Sequence, residues 1–149
     1  MSQQQSVSVE TVRAILDASL AAKEEIRCYS DFAAFSALFP QYFRKSITER
    51  VSRGIHSRYI CPASTKSHQA LKQIVGPKRE RQDFLEVLFI NPAQFPFHNE
   101  IAIYDDKVAI MSLAKRETLG LLIESVTLAE TMRSIFDLSW LGGTSFIAV

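Results

Sequence analysis

Histidine 98 stands two residues ahead of Glu100 and seven ahead of Asp105 in the run FPFHNEIAIYDDKVAIMS, residues 95–112. An imidazole titrates near neutral pH and can move a proton or attack an electrophile, so this spacing is the first place to ask for chemistry. On an extended strand, positions 98 and 100 share a face. Upstream, Tyr29, Ser30 and Asp31 close a short apolar run, IRCY, at the position where open α/β sheets bind ligands. The same residues also make an ordinary helix start, with Asp31 as its cap. Arg58 alternates with apolar neighbours in IHSRYIC, where it can neutralise Glu100 or Asp105 or reach a ligand anion. His56 and His68 have no acidic or thiol partner at useful spacing and read as surface residues. Cys28 and Cys61 lie far apart, with no second Cys or His at metal-ligand spacing beside either. They read as small buried hydrophobes of a reduced cytoplasmic protein. No metal and no cofactor are expected, and the chain carries no Gly-rich phosphate loop or nucleophile elbow.

The elements that must position these residues follow from periodicity. Val12, Ile15, Leu16 and Leu20 fall at helical spacing and predict an amphipathic helix over 8–25. IRCY (26–29) is expected as a strand, SDFAAFSALF (30–39) as a short helix stopped before Pro40, and QYFRKSITERVSRG (41–54) as a helix closing on Gly54. IHSRYIC (55–61) is a strand ended by Pro62, and STKSHQALKQIV (64–75) a helix ended by Gly76-Pro77. The charged stretch GPKRERQD (76–83) is either a solvated connection or a rim that touches a ligand. Four more strands are expected over 84–90, 100–104, 107–113 and 119–125, with Asp105-Asp106 turning a hairpin. The closing helix, VTLAETMRSIFDLSWLGG (126–143), places Leu128, Met132, Ile135, Phe136 and Trp140 on one face and ends at Gly142-Gly143, ahead of the apolar tail TSFIAV. Trp140 belongs to the core or to a subunit interface.

Helices and strands alternate first, and a strand meander with a long helix follows. That order predicts an α/β fold: a mixed β-sheet flanked by helices on both faces. With 149 residues, 47% of them apolar and 22% charged, the chain fits one domain over 1–149, with 1–7 expected to be disordered. No run is long and apolar enough to span a bilayer. A net charge of +1, with both signs interspersed, leaves no electrostatic footprint for direct nucleic-acid binding by this chain alone.

Residues 98–105, H-N-E-I-A-I-Y-D, resemble the H-x-K-x-x-x-x-D signature of the phospholipase D superfamily, with Glu100 in place of the lysine. The resemblance implies one half of a phospholipase D-like fold. It also implies a chemistry in which the histidine attacks phosphorus, the lysine holds a phosphate oxygen, and two motifs meet to supply nucleophile and leaving-group acid. Of the Gly-Ser-x-Asn element that follows in that superfamily, Met111, Ser112, Leu113 and Ala114 keep only the serine. A carboxylate at position 100 aimed at a phosphodiester about 4 Å away would exchange attraction for repulsion, roughly 8 kcal/mol at an effective dielectric of about 20. The degenerate motif His98, Glu100, Asp105, Ser112 is therefore expected to be non-catalytic.

A longer run, about residues 9–143, is similar to the effector domain that follows the winged helix in TrmB-type transcriptional regulators. It is carried by Tyr29-Ser30-Asp31, by Arg50 with Gly54 and Arg58, by the Glu100 to Ser112 hairpin, and by the closing helix through Phe136 and Trp140. The residues before position 8 are too few to form that winged helix, so the chain is either a stand-alone effector-type protein or a fragment. The resemblance implies a ligand-sensing or dimerising domain in transcription regulation rather than an enzyme. Tyr29, Ser30, Asp31, Arg58, His98, Glu100 and Tyr104 are then the candidates for a small polar ligand such as a sugar, and a homodimer is the expected species. The alternatives are a metal-independent phosphodiesterase of phospholipase D type using His98 in a homodimer, and a pure dimerisation module. The near-neutral charge gives one direct test: electrophoresis with duplex DNA at low salt is expected to give no retarded complex. A complex abolished by replacing Arg79 and Arg81 would instead assign the charged loop to phosphate contacts.

Overall fold

A computed structural model of the chain describes residues 9–77, 82–114 and 119–147. Its elements, in order, are α1 (Val9–Ala18) with a 3₁₀ turn (Ser19–Ala21), β1 (Ile26–Tyr29), α2 (Phe32–Leu38), α3 (Pro40–Ser52), β2 (Ser57–Pro62) and α4 (Thr65–Val75). There follow β3 (Leu85–Ile90), β4 (Asn99–Tyr104), β5 (Lys107–Ser112), β6 (Leu119–Glu124) and α5 (Val126–Ile147). Residues 1–7 and the middle of the charged loop, with Arg79 and Arg81, lie outside the described residues.

One sheet of six strands runs in the order β3-β2-β1-β4-β5-β6. β1, β2 and β3 are parallel, so α2, α3 and α4 serve as crossovers, whereas β4 runs antiparallel to β1 and continues through two hairpin-like pairings to β6. Successive crossovers of one hand that step the same way along a sheet stack their helices on one face. Accordingly Phe32, Phe35, Phe43 and Ile47 from α2 and α3 pack with Val12 and Leu16 from α1 against Ile26, Cys28, Tyr59 and Cys61 of the strands. The other face is covered by α5, through Ala129, Phe136, Leu128, Met132 and Trp140, against Ile60, Leu88, Ile103 and Val108. The expected mixed sheet with helices on both faces is what the chain forms.

Local chemistry sets most boundaries. The Asp31 carboxylate accepts from Ala33 N and Ala34 N and starts α2; the Ser64 hydroxyl accepts from Ser67 N and starts α4. Gly54 and Gly76 adopt positive φ at the ends of α3 and α4, a conformation that most side chains disfavour. Two differences from the periodicity stand out. Ile135 faces solvent rather than the core, and α5 runs past Gly142-Gly143 to Ile147. The reason for the second is contact with the sheet: a Cβ at Gly143 would stand 2.3 Å from Leu88 Cδ2, so the missing side chain lets α5 cross β3 closely while packing offsets the poor helix propensity.

Arg58 pairs with neither Glu100 nor Asp105. It sits at the start of β2, where Nε donates to Glu25 Oε1 at 2.5 Å and Nη2 to Asp137 Oδ1 at 2.8 Å, with its guanidinium 5.3 Å from the Phe136 ring centre and 5.2 Å from that of Trp140. Arg27 Nε shares the same Asp137 oxygen at 3.0 Å. Burial works against the charged Asp137, but the two arginines outweigh it and hold its carboxyl below the usual range. This network ties α5 to β1 and β2 around Phe136, which is 0% exposed. Phe136→Ala should therefore cost about 3–5 kcal/mol, read as a lowered urea midpoint; a loss below about 1 kcal/mol would show that α5 does not depend on this anchor.

Candidate functional site

Two of the three residues of the opening motif are far apart in space. β4 separates His98, which precedes it, from Asp105, which follows it, by six extended residues, about 20 Å. Asp105 occupies positive φ in the β4–β5 turn, a conformation that Asp tolerates. Its carboxylate accepts from Lys23 N at 3.1 and 3.2 Å and from Glu24 N at 3.2 Å, and its carbonyl accepts from Arg133. Asp105 thus fastens the hairpin to the chain entering β1 and to α5.

His98 lies at the opposite end of the sheet, exposed, beside the carboxyl end of β1. β4 runs antiparallel to β1, so its first residues meet the last residues of β1, and the Asp31 N–H donates to Glu100 Oε1 at 2.9 Å. Asn99 is the register partner of Ser112 on β5, so the two side chains stand on one face. The same rim receives the start of α4: Ser67 Oγ accepts from Ala33 N at 3.1 Å and lies 3.5 Å from Asp31 Oδ1. His98, Asn99, Ser112, Asp31 and Ser67 therefore belong to one end of the sheet, where strand order reverses direction and open α/β sheets take ligands.

Glu100 differs from the expectation most. It is 6% exposed and lines an interior cavity with Cys28, Ser30, Arg50 and Tyr59, turned toward the helices rather than toward a substrate. Burial raises its pKa to about 8, an effect that the Asp31 N–H and the neighbouring Ser30 only partly offset. Near neutral pH it is largely a neutral acid. The repulsion of roughly 8 kcal/mol anticipated for a carboxylate aimed at a phosphodiester does not arise from a group so placed.

The remaining candidates divide by position. Ser30 is buried beside Glu100, and Asp31 serves as the cap of α2. Tyr29 points to the α5 face, its hydroxyl donating to Ser139 Oγ at 3.1 Å and its ring packed edge-on against Phe97 and Phe136. Tyr104 is buried in the core, and Arg58 stands at the far end of the sheet. The structure thus gathers Ser30, Asp31, His98 and Glu100 and separates Arg58 and Tyr104 from them. Sequence reasoning missed Asn99 and Ser67; only the strand register and the crossover of α4 bring them to the rim. Among the described residues no group of three His, Cys, Asp or Glu is placed to hold a metal, and no helix is long and apolar enough to cross a membrane.

No family model matches the chain, and no curated protein matches it. Among solved structures it is similar to NucT from Helicobacter pylori, with a TM-score of 0.61 and 14% identity over 90% of this chain and 89% of that one. NucT is a phospholipase D-like nuclease, not a TrmB-type regulator. The fold is therefore phospholipase D-like, as expected. The expectation of a non-catalytic sensor or dimerisation domain is corrected: the solved structure it resembles is that of a nuclease, and the physical argument for inactivity fails because Glu100 is turned inward, where burial raises its pKa.

Glu100 yields a test by linkage. Its folded pKa of about 8 lies above the ordinary 4.5, so the folded state holds the extra proton between these values and its contribution to stability falls as pH rises through that window. Urea unfolding should show a loss of a few kcal/mol from about pH 5 to 8. Glu100→Gln should be nearly flat over the same range; equal slopes in both proteins would place the titration elsewhere.

Proposed function

We propose that the chain is a metal-independent phosphodiesterase of phospholipase D type that uses His98 from two subunits of a homodimer. The observation that carries this reading is the placement of His98: exposed, at the ligand end of the sheet, in a fold half similar to that of a phospholipase D-like nuclease. In this reading one His98 attacks phosphorus, forming the N–P bond as the bond to the leaving oxygen breaks, and His98 of the partner subunit gives that oxygen its proton. Water then attacks the phosphohistidine with the second imidazole as base, releasing the phosphate monoester. The lysine role is not filled at position 100, so phosphate recognition rests on neutral donors at the rim, of which the exposed Asn99 amide is next to His98 in sequence.

The two-subunit requirement fits the exposed surface. Leu138 is 70% and Leu141 64% exposed on the outer side of α5, and the edge strand β6 presents Leu119, Leu121 and Leu122. A two-fold pair buries one such patch with itself, and a specific interface here should exceed roughly 1,000 Å². The resemblance to TrmB-type effector domains is, on this account, one of fold.

The purified chain should release p-nitrophenol from bis-p-nitrophenyl phosphate in the presence of chelator, and His98→Ala should lower that rate at least about a hundredfold. His98 is exposed, so its replacement should leave stability within about 0.5 kcal/mol. Light scattering should give about 34 kDa, twice the 16.8 kDa chain. A rate unchanged in His98→Ala sinks the catalytic assignment, and a mass that stays at one chain sinks the shared site.

A further inference from the structure

Arg50 is a buried cation whose charge nothing nearby balances among the described residues. It lies in α3, 4% exposed, and its guanidinium donates from Nη1 to Tyr59 Oη at 2.6 Å and from Nη2 to Ser19 Oγ at 3.3 Å, while Nε has no partner among the described residues. Among the described residues no carboxylate stands within ion-pair distance of it. Neither neighbour can supply a negative charge near neutral pH. Burial pushes the Cys28 thiol up to about 12, and burial likewise carries the Tyr59 phenol far above its ordinary value despite the adjacent guanidinium. An arginine cannot escape by losing its proton, and an isolated ion taken out of water is costly unless something of opposite sign goes with it.

The surroundings include the space for such a partner. Arg50 lines an interior cavity of about 30 Å³ together with Ser30, Ser46, Cys28, Tyr59 and Glu100. Ser30 Oγ, buried like Arg50 Nε, lies near the Glu100 carboxyl yet makes no hydrogen bond of ordinary geometry. The volume suits one water or one monatomic ion and nothing larger. The walls supply the Arg50 cation and the unpartnered Ser30 hydroxyl, whereas Phe35, Phe43 and Met111 make much of the rest apolar. A water could accept from the open donors, Arg50 Nε and the Ser30 hydroxyl, but only an anion would also offset the charge of the guanidinium.

We propose that this cavity binds a single monovalent halide, chloride under ordinary conditions, held by Arg50 Nε and the Ser30 hydroxyl as the counter-ion of the buried guanidinium. The ion is a fixed part of the interior that joins α3 to β1 and β4, on the buried side of the end of the sheet that carries His98, and the assignment does not depend on the catalytic reading.

The test compares thermal unfolding of the full chain in sodium chloride and in sodium gluconate at equal ionic strength. Chloride should raise the midpoint by about 5 °C in a saturable way, and crystals soaked in sodium bromide should show an anomalous peak between Arg50 and Ser30. Glu100→Gln, which keeps a neutral hydrogen-bonding group, should retain the halide response. Arg50→Met should abolish it; where that variant fails to fold, the bromide peak and the Glu100→Gln protein still decide. Identical midpoints in the two salts, a water without anomalous signal at the site, or a halide response that survives Arg50→Met overturns the proposal. So does a Glu100→Gln protein that melts far lower and gains halide dependence, since Glu100 would then itself be the counter-charge of Arg50.

Discussion

Strand β1 is four residues long, and both halves of the sheet hang from it. On one side it pairs in parallel with β2, from Ile26 with Ser57 to Tyr29 with Ile60; on the other it pairs antiparallel with β4, from Arg27 with Ile103 to Tyr29 with Ile101. A strand buried on both faces must be apolar on both, and Ile26, Cys28 and Tyr29 meet that demand, with Arg27 admitted through its pairing with Glu25 and Asp137. The change of direction at β1 has a consequence at its carboxyl end. There the chain leaves the strand into α2 while β4 arrives from the other side, and the gap between them collects Ser30, Asp31, Glu100 and His98.

The two ends of the sheet have been given different work. At the amino end of β1 and β2, charges are matched: Glu25 and Asp137 against Arg27 and Arg58, with Arg58 also over the rings of Phe136 and Trp140. Asp105 belongs to this end as well, holding the backbone of Lys23 and Glu24. These contacts are partly exposed, so each is worth little alone, and their value lies in fixing where α5 crosses the strands. At the carboxyl end charges are not matched. Asp31 is committed to capping, Glu100 is withdrawn into the interior, and His98 stands free at the surface. Residues left accessible at a rim built by rigid strands are the ones a substrate can reach.

Withdrawal of Glu100 separates two readings of one substitution. As a letter in a motif, glutamate for lysine looks like a reversal of charge at the phosphate. As an atom in the fold, its carboxyl accepts from the Asp31 N–H and faces a cavity shared with Arg50 and Ser30, where burial favours the protonated form. The side chain follows the pleat: Glu100, Ala102 and Tyr104 alternate onto the helix-covered face with Met111 and Ala109 of β5, while Ile101 and Ile103 face α5.

The sequence by itself determined the elements and their class. Helical spacing of apolar residues, caps at Asp31 and Ser64, glycines at 54 and 76, and the Asp105-Asp106 turn are local signals, and local signals fix local conformation. Alternation of elements then implied a mixed sheet covered twice. What pairs with what across the sheet was decided only by tertiary structure, because register and crossover bring together residues far apart in the chain, and no spacing rule encodes those distances. Arg58 met Glu25 and Asp137 rather than Glu100; Ser67 came to Asp31; Gly143 became a crossing point against Leu88 instead of a stop. The charge of Glu100 was out of reach for the same reason: a pKa is set by burial and by partners in space, and a residue's letter carries neither.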